Sequence, residues 1–387
     1  MSFRFPRRIT LAPGMRLNRG KRSLELSVGS DGASPSTEAS GGREGRPRGG
    51  NGRTSLAAAL ETCLSHGETL FVRLEIGDQG TIRYFYGDGT PMTESESRVL
   101  RRHARTALRE RLERYCRRLN EDLEHLGRLH EETPHPQTNG YTPRHFDEAP
   151  PASPTFRAAA WWHALWPPAK RRREAENRRR QAAFDEAYRD WEWRKAEYDA
   201  AEFARQRRES EAVWHDRDAM EQTLRERLEE IDWPRETVID FDLGQDDRTI
   251  AVDVELPAED EMPDRLWTMP AKQVKLTPKR LSATRQRRLY RDHVHGIACR
   301  VLGAVFARLP AIEEARVSGY RLVTDPASGR ERDQYLYSVK VTRKQWEKTD
   351  FDGLEETDPV VVVEAFTLRR DMTKTGIFRD IEPFKLV

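Results

Sequence analysis

Four groups of residues in this chain have types and spacings that can do chemistry. The first is acidic. Asp240 and Asp242 lie in the run VIDFDL, and Asp253 and Glu255 lie in TIAVDVE. If the two runs pair as a hairpin across residues 244–247, with Phe241 opposite Ile250 and Ile239 opposite Val252, the apolar residues share one face. The four carboxylates then share the other. Carboxylates converging at about 4 Å can hold Mg²⁺ for phosphodiester hydrolysis. Many such sites carry a lysine one strand position beyond the second acid, and here that position is Pro257. The spacing alone therefore favours a solvated acidic face, where the charges repel one another and confer solubility.

The second group is Asp292, His295 and Cys299 in YRDHVHGIAC. Helical spacing puts His295 and Cys299 on one face, and two ligands on one turn can begin a zinc site. No second His/Cys cluster supplies the remaining ligands, so packing is the simpler expectation. The third, RRDMTKTG at residues 369–376, has phosphate-binding residue types but lacks the glycine spacing of a P-loop. The fourth joins aromatic and basic residues: Trp161, Trp162 and Trp166, followed by Lys170, Arg171, Arg172 and Arg173. Tryptophan rings favour the headgroup boundary of a bilayer, and clustered cations favour anionic lipid. The same stretch can equally plug the protein's own core. These seven residues are the candidate contact site for a membrane or a partner. The sequence offers no candidate catalytic residue, no metal ligand set and no cofactor motif; GxSxG, HExxH and GxGxxG are all absent.

The elements that must position these groups follow from pattern. Residues 169–231 contain no proline or glycine and are rich in helix formers. As one helix they would extend roughly 90 Å. Phe184, Ala187, Trp191, Tyr198 and Ala201 mark an apolar stripe, which fades past Arg205 and resumes at Val213, Met220, Leu224, Leu228 and Ile231. Upstream, residues 69–86 read as a hairpin, and Thr93 to Glu96 has capping-box spacing for a helix reaching about residue 132. Prolines crowd residues 133–160, so that stretch reads as an extended connection. It is long enough for the two helices to fold back as an antiparallel hairpin. Beyond Trp233-Pro234, two hairpins alternate with a helix capped by Ser282 and a short helix opened by Asp358-Pro359. That order predicts an antiparallel sheet with helices on one face.

The fold class expected is α+β. Its parts are a small basic β module at 1–29, a disordered Gly/Arg linker at 30–53, and a hairpin plus long helix at 54–132. A Pro-rich linker with the aromatic patch at 133–168, a long charged helix at 169–231 and an α+β domain at 232–387 complete it. Charged residues make up 34% of the 387 residues and the net charge is +2, so the whole chain is no polycation and any anion binding must be local. Three scattered cysteines, Cys63, Cys116 and Cys299, argue against a disulfide framework. No apolar leader opens the sequence and no 18-residue apolar run occurs, which predicts a cytoplasmic protein, at most peripheral to the inner membrane.

The N-terminal residues Phe3-Arg4-Phe5, Pro13-Gly14, Arg16-Leu17-Asn18, Lys21 and Leu26-Ser27-Val28-Gly29 form a further pattern. It resembles the opening of a bacterial family of proteins of unknown function that carry a small N-terminal β domain. The resemblance implies a small β module in a bacterial protein and no particular chemistry. Taken together, the sequence leads to an interaction or scaffold protein without catalytic activity, contacting a protein partner or itself through its helices. Peripheral attachment to an anionic membrane is the second reading, and nucleic-acid binding or metal-dependent nuclease activity the third.

Overall fold

The computed structural model describes residues 7–11, 22–29, 32–34, 56–66, 68–138, 141–159, 166–271 and 273–385. Three short strands come first: β1 (Arg7–Leu11), β2 (Arg22–Gly29) and β3 (Gly32–Ser34). Helix α1 (Leu56–Ser65) precedes the hairpin of β4 (Leu70–Ile76) and β5 (Ile82–Tyr86). Its turn needs Gly80 at φ +74°, a left-handed conformation that glycine adopts without a Cβ clash. Helix α2 (Glu94–His103) starts at the expected capping box: the Thr93 hydroxyl accepts from the Glu96 N–H, and the Glu96 carboxylate accepts from the Thr93 N–H at 2.7 Å. Helix α3 (Arg105–His125) follows almost directly.

Helix α4 spans Pro167–Ser210, 44 residues, or about 66 Å at 1.5 Å per residue. It does not continue to Ile231. The chain turns through residues 211–216, and α5 (Arg217–Glu229) begins anew under an Asp216 cap that accepts from the Asp218 and Ala219 amides. The break falls where the apolar stripe resumes, because Val213, Met220, Leu224 and Leu228 turn inward to the core while α4 buries none of its residues.

The remaining elements are β6 (Thr237–Leu243), β7 (Thr249–Glu255), β8 (Arg265–Thr268), β9 (Thr277–Arg280), α6 (Ala283–Arg308), β10 (Glu314–Thr324) and β11 (Glu331–Thr342). Then come α7 (Arg343–Trp346), α8 (Pro359–Glu364), β12 (Thr367–Arg369), β13 (Asp371–Met372) and β14 (Phe378–Arg379). Ser282 caps α6 and Asp358 caps α8, as their sequences require.

The class is α+β, with two sheets that each organise a core. The central sheet has the order β1-β6-β7-β10-β11-β12. It is mixed rather than antiparallel, since β10 runs parallel to β7. Helix α6 lies in the connection between those two strands, and a long crossover of that kind returns the chain in the same direction. Helix α6 is buried almost throughout from Tyr290 to Ala307. On its other side Gly303 admits the 133–134 segment: a Cβ there would meet Thr133 Cγ2 at 2.5 Å and Pro134 Cδ at 2.8 Å.

The second sheet, β3-β2-β4-β5, packs with α1, α2 and α3. The β8-β9 hairpin of the C-terminal half also enters this core. Trp267 and Leu276 are buried beside Leu60, Leu74, Leu108 and Leu112. Asn120 clamps the Trp267 backbone, donating to its carbonyl at 2.8 Å and accepting from its amide at 2.9 Å.

These contacts change three expectations. The two described strands within 1–29 lie in different sheets and not in one module: β1 pairs with β6, while β2 pairs with β4. The cut at residue 232 does not separate two cores, since Leu126, Leu129, Val213, Met220, Leu224 and Leu228 belong to the central one. Helix α3 packs against the β8-β9 hairpin, not as half of a helical hairpin with α4. Among the described residues no helix is long and apolar enough to cross a membrane.

Candidate functional site

The acidic face exists. The hairpin register is shifted by two residues from expectation, with Ile239 opposite Val254, Phe241 opposite Val252 and Leu243 opposite Ile250. A shift of two keeps every side chain on its face. Strand β6 runs on to Leu243, and a tight loop closes it, with the Gly244 amide donating to the Thr249 carbonyl. The four carboxylates nevertheless do not converge. Asp242 pairs with Arg217 at 3.0 Å and Glu255 with Arg235 at 3.3 Å. Asp253 is buried and accepts from the Tyr335 hydroxyl at 2.7 Å. Burial raises its pKa to about 6, with the Asp240 charge adding to the rise. Asp240 lies directly opposite it in the ladder.

The row continues across the sheet, where Asp253 is in register with Ser318 and Ser318 with Ser338. The two serine hydroxyls lie 2.9 Å apart, and the Ser338 oxygen accepts from the Phe384 amide at 3.0 Å. One assignment satisfies every group: Phe384 N–H to Ser338, Ser338 to Ser318, Ser318 to Asp253. The C-terminal segment is thus tied to this face. The Ile381 amide donates to the Tyr335 carbonyl, and Arg369 donates to the Glu382 and Pro383 carbonyls while its guanidinium lies over the Phe384 ring. Among the described residues no group of three or more His, Cys, Asp or Glu side chains can hold a metal ion.

The helical His-Cys pair is packing. His295 has both ring nitrogens engaged: Nδ1 meets the Arg291 carbonyl at 2.6 Å, and Nε2 faces the Arg370 guanidinium at 2.8 Å. Arg370 can only donate, so Nε2 accepts and Nδ1 carries the proton. Burial lowers the His295 pKa to about 4, and burial pushes the Cys299 thiol to about 12. Neither is poised for nucleophilic chemistry. Asp292, the third member of that group, pairs with Arg291 at 2.6 Å. Residues 369–376 form β12, β13 and the turn into β14, where the Thr373 amide donates to the Ile377 carbonyl and Gly376 sits at φ +83°.

The aromatic-basic group leads to α4. Trp161 and Trp162 lie outside the described residues. Trp166 stands at the N-terminus of α4 with 64% of its surface exposed. Lys170, Arg171 and Arg172 are exposed on the first turns, and Arg173 is partly covered beside Glu174.

What fills the stripe of α4 is the Pro-rich segment, running antiparallel along it. Arg205 donates to the Thr142 carbonyl, Tyr198 to that of His145, Trp191 to that of Glu148, and Arg180 to that of Thr155. Asn177 bonds both backbone groups of Arg157. From 142 to 157 is 15 residues, against 28 from 205 to 177. At 1.5 Å per helical residue the latter is about 42 Å, which 15 residues in polyproline-like extension at about 3.1 Å each can match. Proline suits this strap because it lacks an N–H but keeps its carbonyl, and the helix side chains mostly bind carbonyls. The Phe146 ring fits between Trp191 and Tyr198, at 6.2 and 5.3 Å. Glu148 pairs with Arg194 at 2.5 Å. The Arg205 guanidinium holds the Glu202 carboxyl down at about 2.

Sequence reasoning missed this partner and the face it leaves open. Half-buried positions recur at Phe184, Tyr188, Trp191, Tyr198, Glu202 and Arg205, beneath the strap. At 100° per residue, Arg171, Arg172, Arg178, Arg179 and Trp193 fall on the opposite side, while Phe203 borders the strap beside Tyr141 and Arg144. Trp193 is 67% exposed and Phe203 68%. The chain matches no family model, no curated protein and no solved structure in comparisons with each.

Proposed function

We propose that this chain is an interaction protein without catalytic activity, whose two-core body carries α4 and its strap as a stiff arm for partner contact. The observation that carries this reading is a pair of exposed rings on a helix that buries no residue of its own: Trp193 on the strap-free side, and Phe203 at the edge of the strap beside Tyr141 and Arg144. Tryptophan is enriched among the residues that dominate interfaces, and an exposed one on a stiff helix is a candidate anchor. The strap supports it too, since ordering the arm before contact lowers the entropic cost of binding. Among the groups closest to catalytic chemistry, Asp242, Glu255 and His295 face arginines and Cys299 is buried.

The test is site-specific photo-crosslinking of the full chain in cells. A crosslinking residue at position 193 or 203 gives discrete adducts. The same residue at Leu322 or Val361, exposed on the body, does not. Adducts from the body positions alone would overturn the reading. An adduct of twice the chain's mass would identify the partner as a second copy.

Trp166, exposed beside Lys170, Arg171 and Arg172, favours peripheral membrane attachment as a second reading. Sedimentation with phosphatidylserine vesicles, weakened by salt, is its test.

A further inference from the structure

We infer that the basic end of α4 binds the phosphate backbone of a nucleic acid through Arg171, Arg172, Arg178 and Arg179, an inference that rests on the arm being a contact surface. Both acids of residues 170–180 are already engaged: Glu174 with Arg173, and Glu176 with both Arg157 and Arg180. Lys170, Arg171, Arg172, Arg178 and Arg179 are exposed, and none is in an ion pair with a described residue. Five cations close together without counter-charges repel one another, which costs stability unless an anion is recruited.

Their arrangement specifies the anion. The two arginine pairs are seven residues apart, so they lie on one side of the helix about 10.5 Å from each other. That side faces away from the strap, and all four arginines on it are exposed. Arginine's planar fork matches phosphate oxygens in pairs. Between the two pairs and just past them the same side carries Ala175 and Ala182, so no large apolar side chain stands among the cations to insert into a bilayer. A linear polyanion fits this side better than a membrane. Trp193 stands on the same side, about 21 Å beyond Arg179, where it offers a stacking platform for an unpaired base. With a net charge of +2, the chain has no global field to mimic such binding, so the attraction is confined to the stripe.

The test is fluorescence anisotropy with a labelled single strand of about 20 nucleotides, with the matching duplex alongside. The full chain binds, and the logarithm of its affinity falls linearly with the logarithm of salt concentration. Replacing all four arginines (R171Q/R172Q/R178Q/R179Q) weakens binding roughly tenfold or more at low salt and lowers the slope by about 3, near 0.7 for each lost phosphate contact. A charge-matched control, R98Q/R114Q/R330Q/K344Q, changes neither, and both variants keep the parental melting curve. Trp193→Ala weakens the single strand more than the duplex. No binding by the full chain, or equal losses in the two quadruple variants, would overturn the inference. So would stripe-dependent binding to phosphatidylserine vesicles without binding to the oligonucleotide, which would assign the stripe to a membrane. Crosslinks from position 193 that persist in any of these cases would leave the arm reading standing and remove only the nucleic acid.

Discussion

Asp253 lies directly across the ladder from Asp240, with the Tyr335 hydroxyl 2.7 Å from its carboxylate. Two acids in opposed positions on central strands resemble the start of a metal site, yet the groups that hydrogen-bond Asp253 are the hydroxyls of Tyr335 and Ser318, and Asp242 and Glu255 have arginine partners. The pair is better described as a buried carboxyl on a polar row that ties down the C-terminal segment.

This gives a pH-dependent prediction. The folded-state pKa of Asp253 is raised, to about 6, so folding takes up a proton between that value and the unfolded value near 4. The group's contribution is most favourable below about pH 4 and is lost as pH rises towards 6, a change of about 3 kcal/mol. Asp253→Asn removes the buried charge and still accepts from Tyr335. It should raise the denaturation midpoint at about pH 7.5 and have little effect at about pH 4. Urea titrations at the two pH values check this, and an equal effect at both would disprove it.

The interlocking of the two cores predicts a distant effect of one side chain. Trp267 comes from the C-terminal half but is buried among Leu60, Leu74 and Leu112. Trp267→Ala should cost about 3–5 kcal/mol by urea denaturation. Hydrogen exchange should quicken in α1, β4 and α3, far from the substitution in sequence. Exchange confined to residues 265–280 would show that the cores are independent.

Gly303 predicts the opposite kind of defect. Gly303→Ala adds a methyl group against Thr133 and Pro134, at a cost of about 1–3 kcal/mol despite alanine's better helix propensity. A higher midpoint in the variant would mean that the 133–134 segment moves aside freely.

Phe146 tests the strap. Phe146→Ala removes the ring between Trp191 and Tyr198, and amides in residues 177–205 should exchange faster while the body's midpoint stays within about 0.5 kcal/mol. Unchanged exchange along α4 would mean that the strap does not stiffen the helix.

The features legible in the sequence were local ones. The Thr93-Glu96 box, the caps at Ser282 and Asp358, and both long hairpins depend on residues a few positions apart. The acidic face was legible because strand alternation survives a two-residue register shift. Its failure to converge was not, since the partners of Asp242 and Glu255 are Arg217 and Arg235, on elements outside the hairpin. The strap's partner and the parallel pairing of β7 with β10 are likewise long-range. Only the break between α4 and α5 had a trace, in the fading of the stripe past Arg205 and the aspartate at 216.

The arm is proposed to serve contact and not folding. Arg205 reaches the Thr142 carbonyl at 2.8 Å, so the two ends of the arm are neighbours, and residues 143–204 can be replaced by a short Gly-Ser linker. The decisive measurement follows urea denaturation of this variant beside the full chain, with oligonucleotide binding recorded on the same samples. One cooperative transition at the full chain's midpoint, together with loss of binding, is expected. A variant that unfolds non-cooperatively or at a clearly lower midpoint, or one that binds as tightly as the full chain, would contradict it.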